Sequence, residues 1–356
     1  MPKDKRQRIM IIAEAGVNHN GEIKLAKKLI DIAKKSGADF IKFQNWQAED
    51  LVTSNAKMAP YQIKNTQKKT KQVNLLKPLE LKKKYYPILK EYSKTKKIGF
   101  LSSPFDEKNY NYLSRELNCK LIKIPSGEIN NFFMLNEVNL KNERLIISTG
   151  MSKLKDIAKA LNFIAKKKTY KIHNNKVKII NLKSYNYIKN KISLLHCVTD
   201  YPVHEKFANL KCIKTLINNF KLNTGYSDHT SGILAPIIAV SLGAKIVEKH
   251  LTISKKMSGP DHKASIEEKE FAEMTKNIRS YERMIGSGLK EIQKCEIKNM
   301  KIAKKSIVAK KKILKGEIFN YNNLTAKRPA GGINPSELFR YIGKKSKKKY
   351  NKDDLI

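Results

Sequence analysis

Apolar residues concentrate in short runs rich in Ile, Leu, Val and Phe, and between most runs they return with the period of one helix face. The runs predict eight strands: Ile9–Gly16, Ala38–Gln44, Ile98–Phe105, Leu121–Gly127, Arg144–Gly150, Ile192–Asp200, Asn223–His229 and Ala244–Leu251. Ile23 to Ser36 shows what lies between. Leu25, Ala26, Leu29, Ile30 and Ala33 share one helical face there, and Gly37 ends it. Lys153 to Ala165 and Gly232 to Leu242 repeat the pattern after the fifth and seventh runs. Strand and helix alternating in this way predict an α/β fold of the (β/α)8 TIM-barrel type. A doubly wound sheet is the alternative, but the turn after the first run, Gly16-Val17-Asn18-His19-Asn20-Gly21, is not the G-x-G-x-x-G of a phosphate loop.

The spacing is uneven. The gap between the second and third runs is longer than one helix needs, and Met58 to Thr66 within it reads as a loop over the active site. Lys166 to Lys191, mostly Lys, Asn, Ile and Tyr, reads as a surface insertion. Near Lys304 the pattern changes. Ser306 to Ala309 predicts a strand, Lys315-Gly316-Glu317 a turn, and Lys327 to Ile333 a loop shaped by Gly and Pro. The expected organisation is a barrel over 1–285, a linker over 286–303 and a small β-rich domain over 304–356.

Length and composition agree: 356 residues suit one large and one small domain, and 40% hydrophobic content supports a sizeable core. Charge adds a question. Lys and Arg number 73 against 32 Asp and Glu, a formal net charge of +41. A nucleic-acid binder would cluster these charges on one face beside exposed aromatics. Here they spread along the chain, on stretches such as Lys24 to Lys35 and Lys82 to Lys97 where a helix faces water. They read as solvated surface that draws in an anionic substrate, with neither nucleic acid nor membrane expected as a partner. Cys119, Cys197, Cys212 and Cys295 form no C-x-x-C, so reduced thiols and a cytoplasmic location are expected. Ile9 to Ala13 is too short for a signal-peptide core, and no run approaches the roughly eighteen apolar residues of a membrane span.

The chemistry lies at the C-terminal ends of the strands, where a barrel presents its catalytic groups. Glu14, Lys42 with Gln44, Ser103, Lys123 with Ser126 and Glu128, Tyr201, Ser227 with His229, and Glu248 with His250 all fall there. Residues two apart face the same way, so Lys42 and Gln44, Ser227 and His229, and Glu248 and His250 form matched pairs. One polar residue facing a barrel interior is commonly a satisfied core group; the same habit on six strands makes that improbable for the set. His229 and His250, on neighbouring strands, have the makings of a shared divalent-metal site. Lys42 and Lys123 with Ser103 and Ser126 have the makings of a cradle for phosphate and carboxylate.

With these motifs the chain resembles the sialic acid synthase family, the N-acetylneuraminate, legionaminate and pseudaminate synthases. The matching stretches are Ala13 to Gly21, Lys42-Phe43-Gln44, Tyr61 to Thr66, Lys123 to Glu128, Ser148 to Met151, Gly225 to His229, Glu248-Lys249-His250 and Ser258 to His262. The tail resembles that family's antifreeze-like (SAF) domain through Lys327-Arg328-Pro329. The resemblance implies condensation of phosphoenolpyruvate with an N-acetylated amino sugar and water. His229 and His250 are then expected to hold Mn2+ or Mg2+. Lys42, Ser103, Lys123, Ser126 and Ser227 would bind phosphoenolpyruvate. Glu14 and Glu128 would handle water at C2, and Glu248 would contact the sugar or relay a proton. Gln44, Asn65, Tyr201 and Asp261 would contact the sugar. Arg328 would reach it from the partner of a domain-swapped homodimer.

Two positions depart from the family pattern. Ser103 stands where Thr is usual and keeps the hydroxyl. Val198 stands where the neuraminate branch often has Asn, and valine cannot hydrogen-bond a sugar hydroxyl. General resemblance makes N-acetylneuraminate synthesis from N-acetylmannosamine the first expectation. Val198 favours the alternative, legionaminate synthesis from 2,4-diacetamido-2,4,6-trideoxymannose. A metal-dependent aldolase is an alternative of another class, distinguished by releasing no phosphate.

Overall fold

The computed structural model describes residues 8–174 and 176–356. All eight predicted runs form strands. In chain order the strands of the first part are β1 (Met10–Gly16), β2 (Phe40–Asn45), β3 (Gly99–Pro104), β4 (Leu121–Ile124), β5 (Arg144–Ser148), β6 (Tyr170–His173), β7 (Lys176–Ile179), β8 (Ile192–Cys197), β9 (Asn223–Asp228) and β10 (Ile246–His250). All but β6 and β7 join one sheet in the order β3-β2-β1-β10-β9-β8-β5-β4, and every pairing in it is parallel. The ring nearly closes where β3 comes alongside β4. This is a (β/α)8 barrel.

Each strand sorts its residues by the two-residue period. Outward positions such as Ile11, Ile41, Phe43, Ile122, Ile147 and Val247 are wholly buried against the surrounding helices. The helix Ile23–Lys35 buries Ala26, Leu29, Ile30, Ile32 and Ala33 on that side. Inward positions form a second apolar cluster: Ile12, Leu101, Ile146, Leu195 and Ile246, joined by Met10, Phe40 and Leu121. Gly225 completes this layer without a side chain, because a Cβ there would lie 2.3 Å from the Ile246 carbonyl oxygen and 2.6 Å from Leu195 Cδ2. Two residues further along every strand the same inward face turns to Glu14, Lys42, Ser103, Lys123, Ser148, Cys197, Ser227 and Glu248. The barrel thus carries an apolar floor beneath a layer of chemistry.

Two expectations need correction. The segment 166–191 is not a loose surface insertion. It holds the antiparallel hairpin β6–β7 and the helix Leu182–Ile188. Tyr170 is 1% exposed, packs edge-on against Phe220 at 5.5 Å and donates its hydroxyl to the Phe220 carbonyl at 3.2 Å. The sequence hid this because most of its exposed positions are Lys and Asn. Likewise Met58 to Thr66 is largely helical: Pro60–Thr66 forms a short helix with proline in its first turn, where the missing N–H does no harm.

The chain divides into two units, Met1–Ile285 and Gly286–Ile356. The second has its own core of Ile307, Ala309, Ile313, Phe319, Leu324 and Tyr350, built on the antiparallel pair β11 (Ser306–Ala309) and β12 (Leu324–Lys327). It also includes the helix Glu296–Ala303, which lies within the expected linker. Among the described residues no helix is long and apolar enough to cross a membrane.

Candidate active site

The polar layer opens into a cavity of about 340 Å3 at the C-terminal ends of the strands. It is lined by every barrel residue given a binding or catalytic role from the sequence except Asn65: Glu14, Lys42, Gln44, Ser103, Lys123, Ser126, Glu128, Tyr201, Ser227, His229, Glu248, His250 and Asp261. Asn65 serves the wall instead. Its side-chain amide donates to the carbonyls of Tyr201 (3.1 Å) and Pro260 (2.7 Å), tying the helix Pro60–Thr66 to two loops of the rim. Arg328 lies in the second unit and is exposed.

At the centre stand two cations and two carboxylates, all but excluded from solvent. Lys123 Nζ donates to both oxygens of Glu248, at 2.8 and 3.0 Å. Lys42 Nζ lies 3.2 Å from Glu248 Oε1 and 3.2 Å from Glu14 Oε2, and donates to Ser103 Oγ at 3.3 Å. Ser227 Oγ adds a hydrogen bond of 2.9 Å to Glu248. Burial works against ionisation of Glu248, but Lys123 and Lys42 outweigh it and hold its carboxyl well below the usual range. Glu14 goes the other way. Burial dominates, and despite Lys42 its pKa is pushed up to about 7. Burial also lowers the Lys123 pKa, whereas for Lys42 the neighbouring Glu14 and Glu248 outweigh burial and raise it. Two carboxylates in one cavity are thus driven apart, one fixed as an anion and one poised to exchange a proton near neutrality. Glu128, at the rim, is half-buried and raised by burial, with Asn131 donating to it at 2.7 Å.

His229 and His250 face one another with ring centroids 5.4 Å apart. The His229 Nδ1 lies 2.7 Å from the Val198 carbonyl, which assigns its proton to Nδ1 and leaves Nε2 a free lone pair. His250 Nδ1 is buried with no hydrogen-bond partner among the described residues, and Asp261 Oδ2 lies 3.8 Å away. Burial keeps both rings neutral, lowering His229 to about 4 and His250 well below its ordinary value. It also raises Asp261 to about 6. Two neutral imidazoles, one with an orphaned nitrogen, suit a divalent cation. Among the described residues no group of three or more His, Cys, Asp or Glu forms a full ligand set, so a cation here would take its remaining ligands from substrate or water.

The neighbours on the opposite strand face have another task. Lys249 and Asp228 form a wholly buried ion pair at 2.6 Å, and Asp228 also accepts from Tyr226 and Thr230. They stiffen the β9–β10 junction behind the histidines.

Several residues that line the cavity carry no role expected from the sequence: Trp46, Cys197 and Thr199, and also Tyr61, Gln62 and Ser148, which stand in the matching stretches. Ser148 and Cys197 were open to discovery, each lying two residues beyond an inward apolar residue. The Gly150 N–H donates to Ser126 Oγ at 3.0 Å, and a Cβ on Gly150 would come within 2.5 Å of Thr199 Oγ1, so this corner requires glycine. Val198 does not line the cavity; its contribution is the backbone carbonyl that holds His229.

Comparison with known proteins bears on this geometry. The NeuB family profile matches residues 29–290. The N,N'-diacetyllegionaminic acid synthase of Campylobacter jejuni is 45% identical over 98% of this chain and 99% of its own length. The human N-acetylneuraminate-9-phosphate synthase is 34% identical over 97% of this chain and 90% of its own. The crystal structure of the N-acetylneuraminic acid synthetase of Leptospira borgpetersenii, in complex with citrate, superposes with a TM-score of 0.68 at 34% identity, covering 82% of this chain and 90% of that one. The profile spans most of the barrel and the relatives run nearly end to end, so this chain is an enzyme of the NeuB family.

Proposed function

We propose that this enzyme condenses phosphoenolpyruvate with 2,4-diacetamido-2,4,6-trideoxymannose and water, giving N,N'-diacetyllegionaminate and phosphate. The observation that carries the reaction is the buried Lys42–Glu14–Glu248–Lys123 cluster beside two neutral imidazoles. A small ligand with both phosphate and carboxylate matches two buried lysines set among the hydroxyls of Ser103, Ser126 and Ser227. The sugar rests on relatedness: the Campylobacter enzyme, at 45% identity the most similar of the three relatives compared above, is named for the legionaminate product. That moves N-acetylmannosamine, the first expectation, to second place. Val198 lends this choice no support, since its side chain stands outside the cavity.

In this reading C3 of phosphoenolpyruvate forms a bond to the aldehyde carbon of the open-chain sugar, whose oxygen takes up a proton. Water adds at C2, loses its proton, and phosphate departs with its C–O bond. Glu14, half ionised near neutrality, is suited to accept the proton of that water, with Glu128 at the rim as its assistant. Glu248, held ionised, orders the two lysines and is freed toward the sugar as the ligand's anionic groups claim them. Tyr201 and Asp261 border the space left for the sugar. Mn2+ or Mg2+ on His229 and His250 would act as a Lewis acid toward the aldehyde oxygen. The proposal extends to a domain-swapped homodimer whose tail is an antifreeze-like (SAF) domain, with Arg328 of the partner subunit reaching the sugar. Mixing Arg328→Ala with Lys123→Ala subunits should then restore turnover. No recovery in proven mixed dimers would refute that exchange.

Phosphate release from phosphoenolpyruvate, measured across a panel of amino sugars, tests the central reading. The diacetamido trideoxy sugar should exceed N-acetylmannosamine in kcat/KM by about tenfold or more, the scale of one polar contact. A preference for N-acetylmannosamine returns the enzyme to neuraminate synthesis, and no release with any sugar refutes the reaction. Excess chelator should abolish turnover and Mn2+ restore it; full activity in chelator removes the metal.

A further inference from the structure

Trp46, the single tryptophan of the chain, follows directly on β2, is 3% exposed and lines the cavity. Its ring belongs to an apolar cluster with Val17, Ala48, Leu76 and Leu79, so the indole has little freedom to turn. From there Nε1 donates to Gln44 Oε1 at 3.3 Å, and Gln44 Nε2 donates to Glu14 Oε1 at 3.1 Å. Both ends fix the polarity of this relay. An indole nitrogen can only donate, and an ionised carboxylate can only accept. A glutamine amide offers one end of each kind, and its two ends are nearly the same shape. Only one orientation of the Gln44 amide therefore satisfies both neighbours. At the far end, Glu14 Oε2 makes no hydrogen bond among the described residues and has an ion-pair contact with Lys42.

We propose that Trp46 is a positioning residue: its indole N–H locks the Gln44 amide so that Gln44 pins Oε1 of Glu14 and leaves Oε2 free for the reacting water. Gln44, expected from the sequence to bind the sugar, has one hydrogen bond at each end of its amide already directed at the protein. The ring that sets Glu14 is packed into the long segment between β2 and β3, which also supplies Tyr61 and Gln62 to the cavity. That segment therefore both walls the site and orients its base. The inference rests on the reading of Glu14 as the base of the proposed condensation.

Trp46→Phe keeps the ring and its packing but removes the N–H. It should lower kcat about tenfold, the worth of one buried hydrogen bond, while leaving KM for phosphoenolpyruvate unchanged. Combined with Gln44→Ala it should cost nothing beyond Gln44→Ala alone, because the two act through one contact. Wild-type kcat in Trp46→Phe, or an equal loss in both backgrounds, overturns the proposal. A readout independent of turnover is the single indole N–H resonance of the 15N-labelled protein. Gln44→Ala should shift it and speed its hydrogen exchange; an unmoved signal also overturns the relay. Wild-type enzyme that releases no phosphate, yet shows the indole shift, would instead fault the proposed reaction.

Discussion

Glu14 and Glu248 show how one residue type performs two tasks a few ångströms apart. Glu14 meets one lysine with one oxygen and the Gln44 amide with the other; Glu248 meets two lysines and a serine. If Glu14 is the base, kcat/KM should fall as pH drops through about 7, because the raised carboxyl is then protonated and can accept nothing. In Glu14→Gln the residual rate should be lower by about 10²-fold or more and should lose that limb. A limb that survives the substitution assigns it to another group. The lysines permit a second check. Lys123→Met leaves Glu248 buried beside one cation fewer and should destabilise the fold by about 3–5 kcal/mol, whereas Lys123→Met with Glu248→Leu should recover much of that loss. Urea unfolding of the two variants decides it: if the double variant is no more stable than the single, burial of the unpaired charge is not the cause.

At the scale of elements, the alternation along each strand was enough to find the barrel and most of the chemistry. Ile12 to Glu14, Leu121 to Lys123 and Ile246 to Glu248 each step from floor to site on one face, and the sequence displays that step. What it could not display was partnership across the chain. Asn65 has the look of a sugar ligand, yet its donors are taken by the Tyr201 and Pro260 carbonyls, a fact of loop packing that no local pattern carries. The hairpin β6–β7 was lost for a related reason. Its exposed lysines and asparagines mask Tyr170, whose burial depends on Phe220 some distance along the chain. Tyr170→Ala should therefore destabilise the protein by about 3–5 kcal/mol, as removal of a buried aromatic does, with no change in KM for either substrate. A loss below about 1 kcal/mol would restore the view of this segment as ornament.

For the whole molecule, the excess of 73 basic over 32 acidic residues finds no counterpart at the catalytic centre, where Lys42 and Lys123 are matched by Glu14 and Glu248. The surplus belongs to the surface, where it can hasten the arrival of an anion without specifying it. The floor of Ile12, Leu101, Ile146, Leu195 and Ile246 has the opposite character, and it turns the catalytic cavity into a blind well. Nothing the size of a substrate can drain through the far mouth of the barrel. Whatever enters from the C-terminal rim must leave by the same doorway, in an order set by depth. In the proposed reaction the departing phosphate is released beside the lysines that would have received it, so it must vacate their berth before another phosphoenolpyruvate can settle. Inorganic phosphate should accordingly inhibit competitively against phosphoenolpyruvate; inhibition that leaves KM untouched would mean that the well has a second exit.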